Sequence, residues 1–278
     1  MSLELVSIAT DTYPLDGLYY EPEGGARAGA ILIMHGNCFN FYTGLPRTLP
    51  PLLAKLGYAV LAYNRRGHDV VVTLNSREAG GGAFQRIDEM VADNRYATEW
   101  LRARGHAAPI VLGHSNGGML AVRHCADDQN MRALVLLSAH RGGRDLFPMI
   151  SKAGLMAGDR FDEISARARA LVAAGQGREL MLVPGWWYVI SAATFVDYLD
   201  KCPDILELAP QVRCPVLFLR GDQEAKPIYP AEAFAERAGG PAEYAVVPDC
   251  DHFYGGREAA AVELIAAWLA RAGIAQAA

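Results

Sequence analysis

Five short stretches of this chain are apolar at nearly every position: AGAILIMHG (28–36), AVLAYN (59–64), APIVLG (108–113), MRALVLLSA (131–139) and CPVLFLRGD (214–222). A strand with one face in water alternates polar and apolar residues. One without that alternation has to be covered on both faces. Between these runs lie stretches with helical spacing, such as FQRIDEMVADNRYATEWLRARG (84–105), which closes at Gly105. Strands alternating with helices imply a mostly parallel central sheet with helices on both faces, an α/β fold.

The pattern starts and pauses in telling places. The N-terminal segment suggests antiparallel strands, LELVSIAT, then YPLDGLYYEP, then AGAILIMHG. PRTLPPLLAKLGY reads as a helix ending at Gly57, and SNGGMLAVRHCADD as a second helix. The rhythm stops at about His140 and resumes after Pro210, with AEYAVVPD as the last strand and EAAAVELIAAWLARAG as the last helix. Residues 140–210 therefore read as an inserted helical cap or lid, with FDEISARARALVAAG and ISAATFVDYLDKC as its helices. The whole chain, 1–278, reads as one domain, because no repeat, low-complexity tract or charged linker divides it.

Charge and cysteine usage narrow the functional classes. The net charge is −5 and the densest basic run, Asn64-Arg65-Arg66, is too short for a nucleic-acid footprint. No apolar run is long enough to span a bilayer, and MSLELVSIATDTYP lacks the form of a secretory leader, so a cytoplasmic protein is expected. The five cysteines, Cys38, Cys125, Cys202, Cys214 and Cys250, are scattered and form no C-x-x-C pair. They read as small hydrophobes, with no metal site expected and no cofactor needed.

One run ends unusually. APIVLG leads into Gly113-His114-Ser115-Asn116-Gly117-Gly118, a hydroxyl fenced by glycines. Gly-x-Ser-x-Gly alone is weak, since this composition gives about 0.08 chance matches. A strand before and a helix after give it meaning. A serine at a sharp strand-to-helix turn sits in strained backbone, and glycines remove the side chains that would collide there.

A serine hydroxyl needs a base, and the base needs an orienting acid. In a parallel sheet these follow later strands at the same carboxyl edge. CPVLFLRGD ends in Asp222, and AEYAVVPD is followed by Cys250-Asp251-His252, which gives Ser115, Asp222 and His252 as nucleophile, acid and base. His124 and His140 are rivals for the base, with His140 placed to line the pocket. Glu224, Asp249 and Asp251 are rivals for the acid. Asp222 stands nearest the strand end, though a turn cap is its bland alternative. His114 and His35 read as packing and structural hydrogen bonding, and Cys38 and Cys250 as buried thiols on no elbow.

With these pieces in place the chain resembles the α/β-hydrolase superfamily over about residues 28–138 and 212–271. The elbow Gly113–Gly117, Asp222, His252, His35-Gly36-Asn37 and the turn Asn64-Arg65-Arg66-Gly67-His68 carry the resemblance. It implies an oxyanion hole formed by the backbone N–H groups of Asn37 and Asn116, although HGNCFNFY departs from the HGGG pattern of many esterases. PGWWYVISAATFVDYL crowds Trp186, Trp187, Tyr188, Phe195 and Tyr198 together, either anchoring the insert or walling Ser115. CFNFY adds Phe39, Phe41 and Tyr42 to the same mouth.

The expectation is a serine hydrolase acting on small apolar or aromatic carboxylic esters through an acyl-enzyme. Action on a lactone, thioester, amide or carbon–carbon bond, acyl transfer, and a non-catalytic binding protein all stay open. The expected partner is a small-molecule ester, not nucleic acid. Oligomeric state is not written in these residues.

Overall fold

The computed structural model describes residues 1–73, 77–185 and 188–274. At one edge of its main sheet, β1 (Ser2–Ile8) pairs antiparallel with β2 (Leu15–Glu21), which pairs antiparallel with β4 (Tyr58–Tyr63). Every later neighbour is parallel. β4 is followed by β3 (Gly29–Met34), β5 (Ile110–His114), β6 (Ala133–Leu137), β9 (Val216–Gly221) and β10 (Ala242–Val247), giving the order β1-β2-β4-β3-β5-β6-β9-β10. The stretch 28–36 was expected to be antiparallel. It is instead the parallel β3, because a strand apolar at every position is only satisfied deep in a sheet covered on both sides.

Two apolar layers flank the sheet. Ile31, Ile33, Val60, Leu112 and Val135 face a layer built with α1 (Gly44–Lys55) and α9 (Glu258–Arg271). Leu32, Leu61, Val111, Leu134 and Phe218 face the opposite layer, built with α2 (Ile87–Ala103), α3 (Asn116–Asp127) and α8 (Ala231–Arg237). Strand side chains this deeply buried contribute roughly 2–5 kcal/mol each when truncated to alanine. This rigid sheet holds the groups at its carboxyl edge in fixed relation to one another.

Between β6 and β9 the chain leaves the sheet. It forms α4 (Leu146–Lys152), α5 (Phe161–Ala173), a two-stranded antiparallel pair β7 (Leu180–Val183) and β8 (Tyr188–Ser191), α6 (Ala192–Lys201) and the short α7 (Ile205–Leu208). The two helices expected here are α5 and α6, but the hairpin was not foreseen. Phe147 of α4 packs its ring 5.0 Å from that of Phe195 on α6, and both continue the apolar layer that α2 and α3 build on the sheet. Trp186 and Trp187 lie outside the described residues. No helix among the described residues is long and apolar enough to cross a membrane, and none of the five cysteines forms a disulfide there.

Candidate active site

The elbow is where the sequence placed it. β5 ends at His114, α3 begins at Asn116, and Ser115 between them has φ 55° and ψ −119°, a conformation L-residues adopt only when the surroundings impose it. The glycines remove mass rather than supply left-handed backbone. A Cβ on Gly117 would sit 2.1 Å from the Met34 carbonyl oxygen, and one on Gly113 would sit 2.5 Å from the Gly117 oxygen. Strand and helix therefore approach closely enough to force the turn. Ser115 is left partly exposed at its apex.

His252, in the loop after β10, meets the serine. Its Nε2 lies 3.0 Å from Ser115 Oγ, and its Nδ1 lies 2.7 Å from Glu224 Oε1. A carboxylate only accepts, so Nδ1 carries the proton and Nε2 faces the hydroxyl as an acceptor. Two rings pack against the imidazole at a tilt, His114 with its centroid at 4.8 Å and Tyr229 at 5.0 Å. His114 Nε2 also donates to the His252 carbonyl at 2.8 Å. Burial, with His252 close by, pushes the His114 pKa down to about 3, so it stays a neutral donor.

The acid position requires a correction. Asp222 is exposed, and its two carboxylate oxygens accept from the backbone N–H groups of Asp249 and Cys250, each at 3.0 Å. Those bonds hold its pKa below the usual carboxylate range. The carboxylate next to the imidazole belongs to Glu224, whose side chain is only 3% exposed. Its second oxygen accepts from the Gly221 N–H at 2.8 Å and from the Ser138 hydroxyl. Ser138 in turn lies 3.0 Å from the Tyr254 hydroxyl. The physical reason is the turn after β9. Glu224 N–H bonds back to the Gly221 carbonyl, so the chain reverses and the third residue past Gly221 comes round to the imidazole. Asp222 braces that turn against the β10 loop, which is its turn-cap alternative.

Asn37 follows β3 and Asn116 opens α3. Both line the pocket beside Ser115, and among the described residues neither backbone N–H donates within the protein. About 520 Å³ of empty space, open solvent at the mouth included, adjoins these residues. Its far wall is apolar: Leu146, Phe147 and Ile150 from α4, Met156, Ile190 from β8, and Ile228. His140 lines it too, with Nε2 3.4 Å from Asn116 Oδ1, and burial pushes its pKa down to about 3.

The aromatics after β3 fall elsewhere. Phe39 packs 6.2 Å from the rings of both His114 and Phe253, outside the pocket lining. Phe41 packs on Tyr42, and the exposed Tyr42 gives its hydroxyl proton to Asp69 at 2.8 Å. These three were expected at the pocket, but Asn40, accepting from the Tyr42 N–H, turns the segment toward Asp69 instead. Tyr198 of the crowded aromatic stretch does line the pocket, while Phe195 is buried behind it. Ser138, Tyr229 and Gln85 drew no notice in the sequence because only tertiary contact gives them a role. Among the described residues no group of three His, Cys, Asp or Glu side chains converges as a metal site would need.

The comparisons agree with this architecture. The family model described as the alpha/beta hydrolase family matches residues 31–267. Among solved structures, Est1E from Butyrivibrio proteoclasticus with ferulic acid bound is 17% identical, with a TM-score of 0.70, covering 95% of this chain and 99% of its own. The alpha/beta hydrolase GrgF from Penicillium sp. is 14% identical with a TM-score of 0.73, covering 98% and 99%. A thermostable carboxyl esterase from Bacillus coagulans is 15% identical with a TM-score of 0.67, covering 96% and 99%. Likenesses at these identities show the fold. No curated protein matches the chain significantly.

Proposed function

Because the chain belongs to the alpha/beta hydrolase family, we propose that it is a serine hydrolase cleaving carboxylic esters of small apolar or aromatic acids. One observation carries the reading: the unbroken line from Ser115 Oγ through His252 to the buried Glu224, at 3.0 and 2.7 Å. In this reading Ser115 attacks the carbonyl carbon as His252 Nε2 takes its proton. The Glu224 carboxylate holds the ring and offsets the charge on the imidazolium. The carbonyl oxygen, now negative, is met by the N–H groups of Asn37 and Asn116, fixed donors of a kind each worth a few kcal/mol of barrier. The imidazolium returns its proton to the leaving alkoxide, and water then releases the acyl group by the same steps reversed.

The apolar wall from the 140–210 segment supports its role as a cap that selects the acyl group. It favours an uncharged, compact substituent over a phosphate or polyanion. Est1E binds ferulic acid, so aromatic acyl esters belong in the first panel together with a series of straight-chain esters. A cytoplasmic setting belongs to the same proposal.

The test is intact mass after exposure to a fluorophosphonate, on the wild type and on Ser115→Ala. One adduct on the wild type alone, with ester turnover lost in the variant, supports the reading. A folded wild type that takes no label and cleaves no ester overturns it.

A further inference from the structure

The segment between β6 and β9 reaches the catalytic edge through a hydrogen bond as well as through apolar side chains. Tyr198, buried on α6, has its hydroxyl in the middle of a chain. Gln85 Nε2 donates to it at 2.9 Å and also donates to Asn37 Oδ1 at 2.5 Å. The Tyr198 hydroxyl in turn donates to Asn116 Oδ1 at 3.3 Å. The two ends of this chain are the side chains of the two residues whose backbone N–H groups serve as oxyanion donors in the reading above.

We infer that Gln85 and Tyr198 are positioning residues that hold the Asn37 and Asn116 peptides in one fixed arrangement, an inference that rests on the serine-hydrolase reading. An oxyanion donor lowers the barrier only if it is already oriented when charge develops. An asparagine tethered at Oδ1 has little freedom left to swing its own N–H. The surroundings are built for the tether. Gln85 fits only because Gly67 lacks a side chain, whose Cβ would lie 2.3 Å from Gln85 Oε1. Beside Tyr198 on α6, Asp197 accepts from the Ile87 N–H at 2.7 Å and so docks that helix two residues from Gln85. Burial pushes the Tyr198 pKa well up and keeps it a donor. The segment is thus tied to the reacting edge rather than hinged above it.

The experiment compares wild type, Tyr198→Phe, Gln85→Met and the double variant on an aryl ester. Each is also tested for binding of an aryl trifluoromethyl ketone, which adds to the serine and places its own oxyanion in the hole. Each single variant is expected to lose about tenfold in kcat, less than the loss of a whole donor. Each should lose the same factor in ketone affinity while KM stays within about twofold. The double variant should lose more than either single one, because Tyr198→Phe frees Asn116 while Gln85 still holds Asn37, and Gln85→Met frees Asn37 while Tyr198 still reaches Asn116. Gln85→Met lies outside the 140–210 segment and keeps the test standing if Tyr198→Phe unfolds it. Values of kcat and ketone affinity both within twofold of wild type, losses confined to KM, or a double variant no worse than the poorer single one would overturn the inference. A wild type that neither cleaves the ester nor binds the ketone takes down the serine-hydrolase reading first, and this inference with it.

Discussion

The turns after β5 and after β9 do the same job by different means. Each takes the end of a buried parallel strand and lifts one side chain over the sheet edge. After β5 the backbone is the instrument. Missing Cβ atoms let helix and strand close to within contact, and Ser115 is forced outward at φ 55°. After β9 the side chains do the work. Asp222 ties the turn to the neighbouring loop, and Glu224 folds back into a bracket of the Gly221 N–H and the Ser138 hydroxyl. A steric turn leaves a signature in the residues that must be absent. A hydrogen-bonded turn leaves almost none, since two carboxylates two positions apart look alike until the chain is folded.

Experiments can strain the contrast in order of expected effect. Ser115→Ala should lose roughly 10⁵–10⁶ in kcat for ester turnover with the fold intact by circular dichroism, because nothing else stands at the elbow apex. Glu224→Gln should cost about 10³–10⁴ in kcat, as the amide disfavours the tautomer His252 needs. If it costs less than tenfold, the two turns are not equal partners and the acid lies elsewhere.

Next comes acid stability at the elbow. His114 has its pKa lowered from 6.5 to about 3, so the unfolded chain takes up the proton first. Its contribution is complete above about pH 6.5 and is lost as pH falls toward 3, amounting to about 2 kcal/mol by pH 5. Denaturant melts of wild type and His114→Gln at pH 8 and 5 should show the variant losing less on acidification. An equal loss in both would mean that His114 is not held neutral.

Smaller again is Ser138→Ala, which takes one donor from a buried carboxylate and should destabilise by about 1.5–3 kcal/mol. It should also slow turnover less than Glu224→Gln does. Asp222→Asn should be the mildest, with kcat/KM within about threefold of wild type. A loss as large as that of Glu224→Gln would restore Asp222 to the acid's role and undo the comparison.

What the sequence disclosed follows the same division. β3, β5, β6 and β9 were legible as strands because burial on both faces leaves no polar position to hide, although β3 was expected to be antiparallel and is parallel. β10 was legible as a strand, although its exposed Tyr244 and Val246 mark it as the sheet's edge. The hairpin β7–β8 was not legible, because its strands are only four residues long and the second lies in an aromatic stretch that also suits an anchor. Ser115 could be read from its glycine-fenced strand-to-helix turn and His252 from its place after the last strand, and the structure brings their side chains together. For the acid the sequence pointed to Asp222, with Glu224 in the same turn and Asp249 and Asp251 in the loop after β10 as rivals, whereas the carboxylate beside His252 is that of Glu224. The pocket was least legible. His140 and Tyr198 line it, yet Phe39, Phe41 and Tyr42 turn away because Asn40 and Asp69 redirect their loop.

The packing of His252 against the rings of His114 and Tyr229 has a consequence for traffic through the proposed site. With Nδ1 bonded to Glu224 and two rings packed against it, His252 cannot swing out to collect a proton on one side and deliver it on the other without breaking those contacts. On the proposed mechanism the proton is therefore received and handed back at one point in space, Nε2, beside Ser115. Departing alcohol and arriving water must use that point in turn. The occupancy of one small volume, rather than any motion of the base, would then set the order in which product leaves and solvent enters.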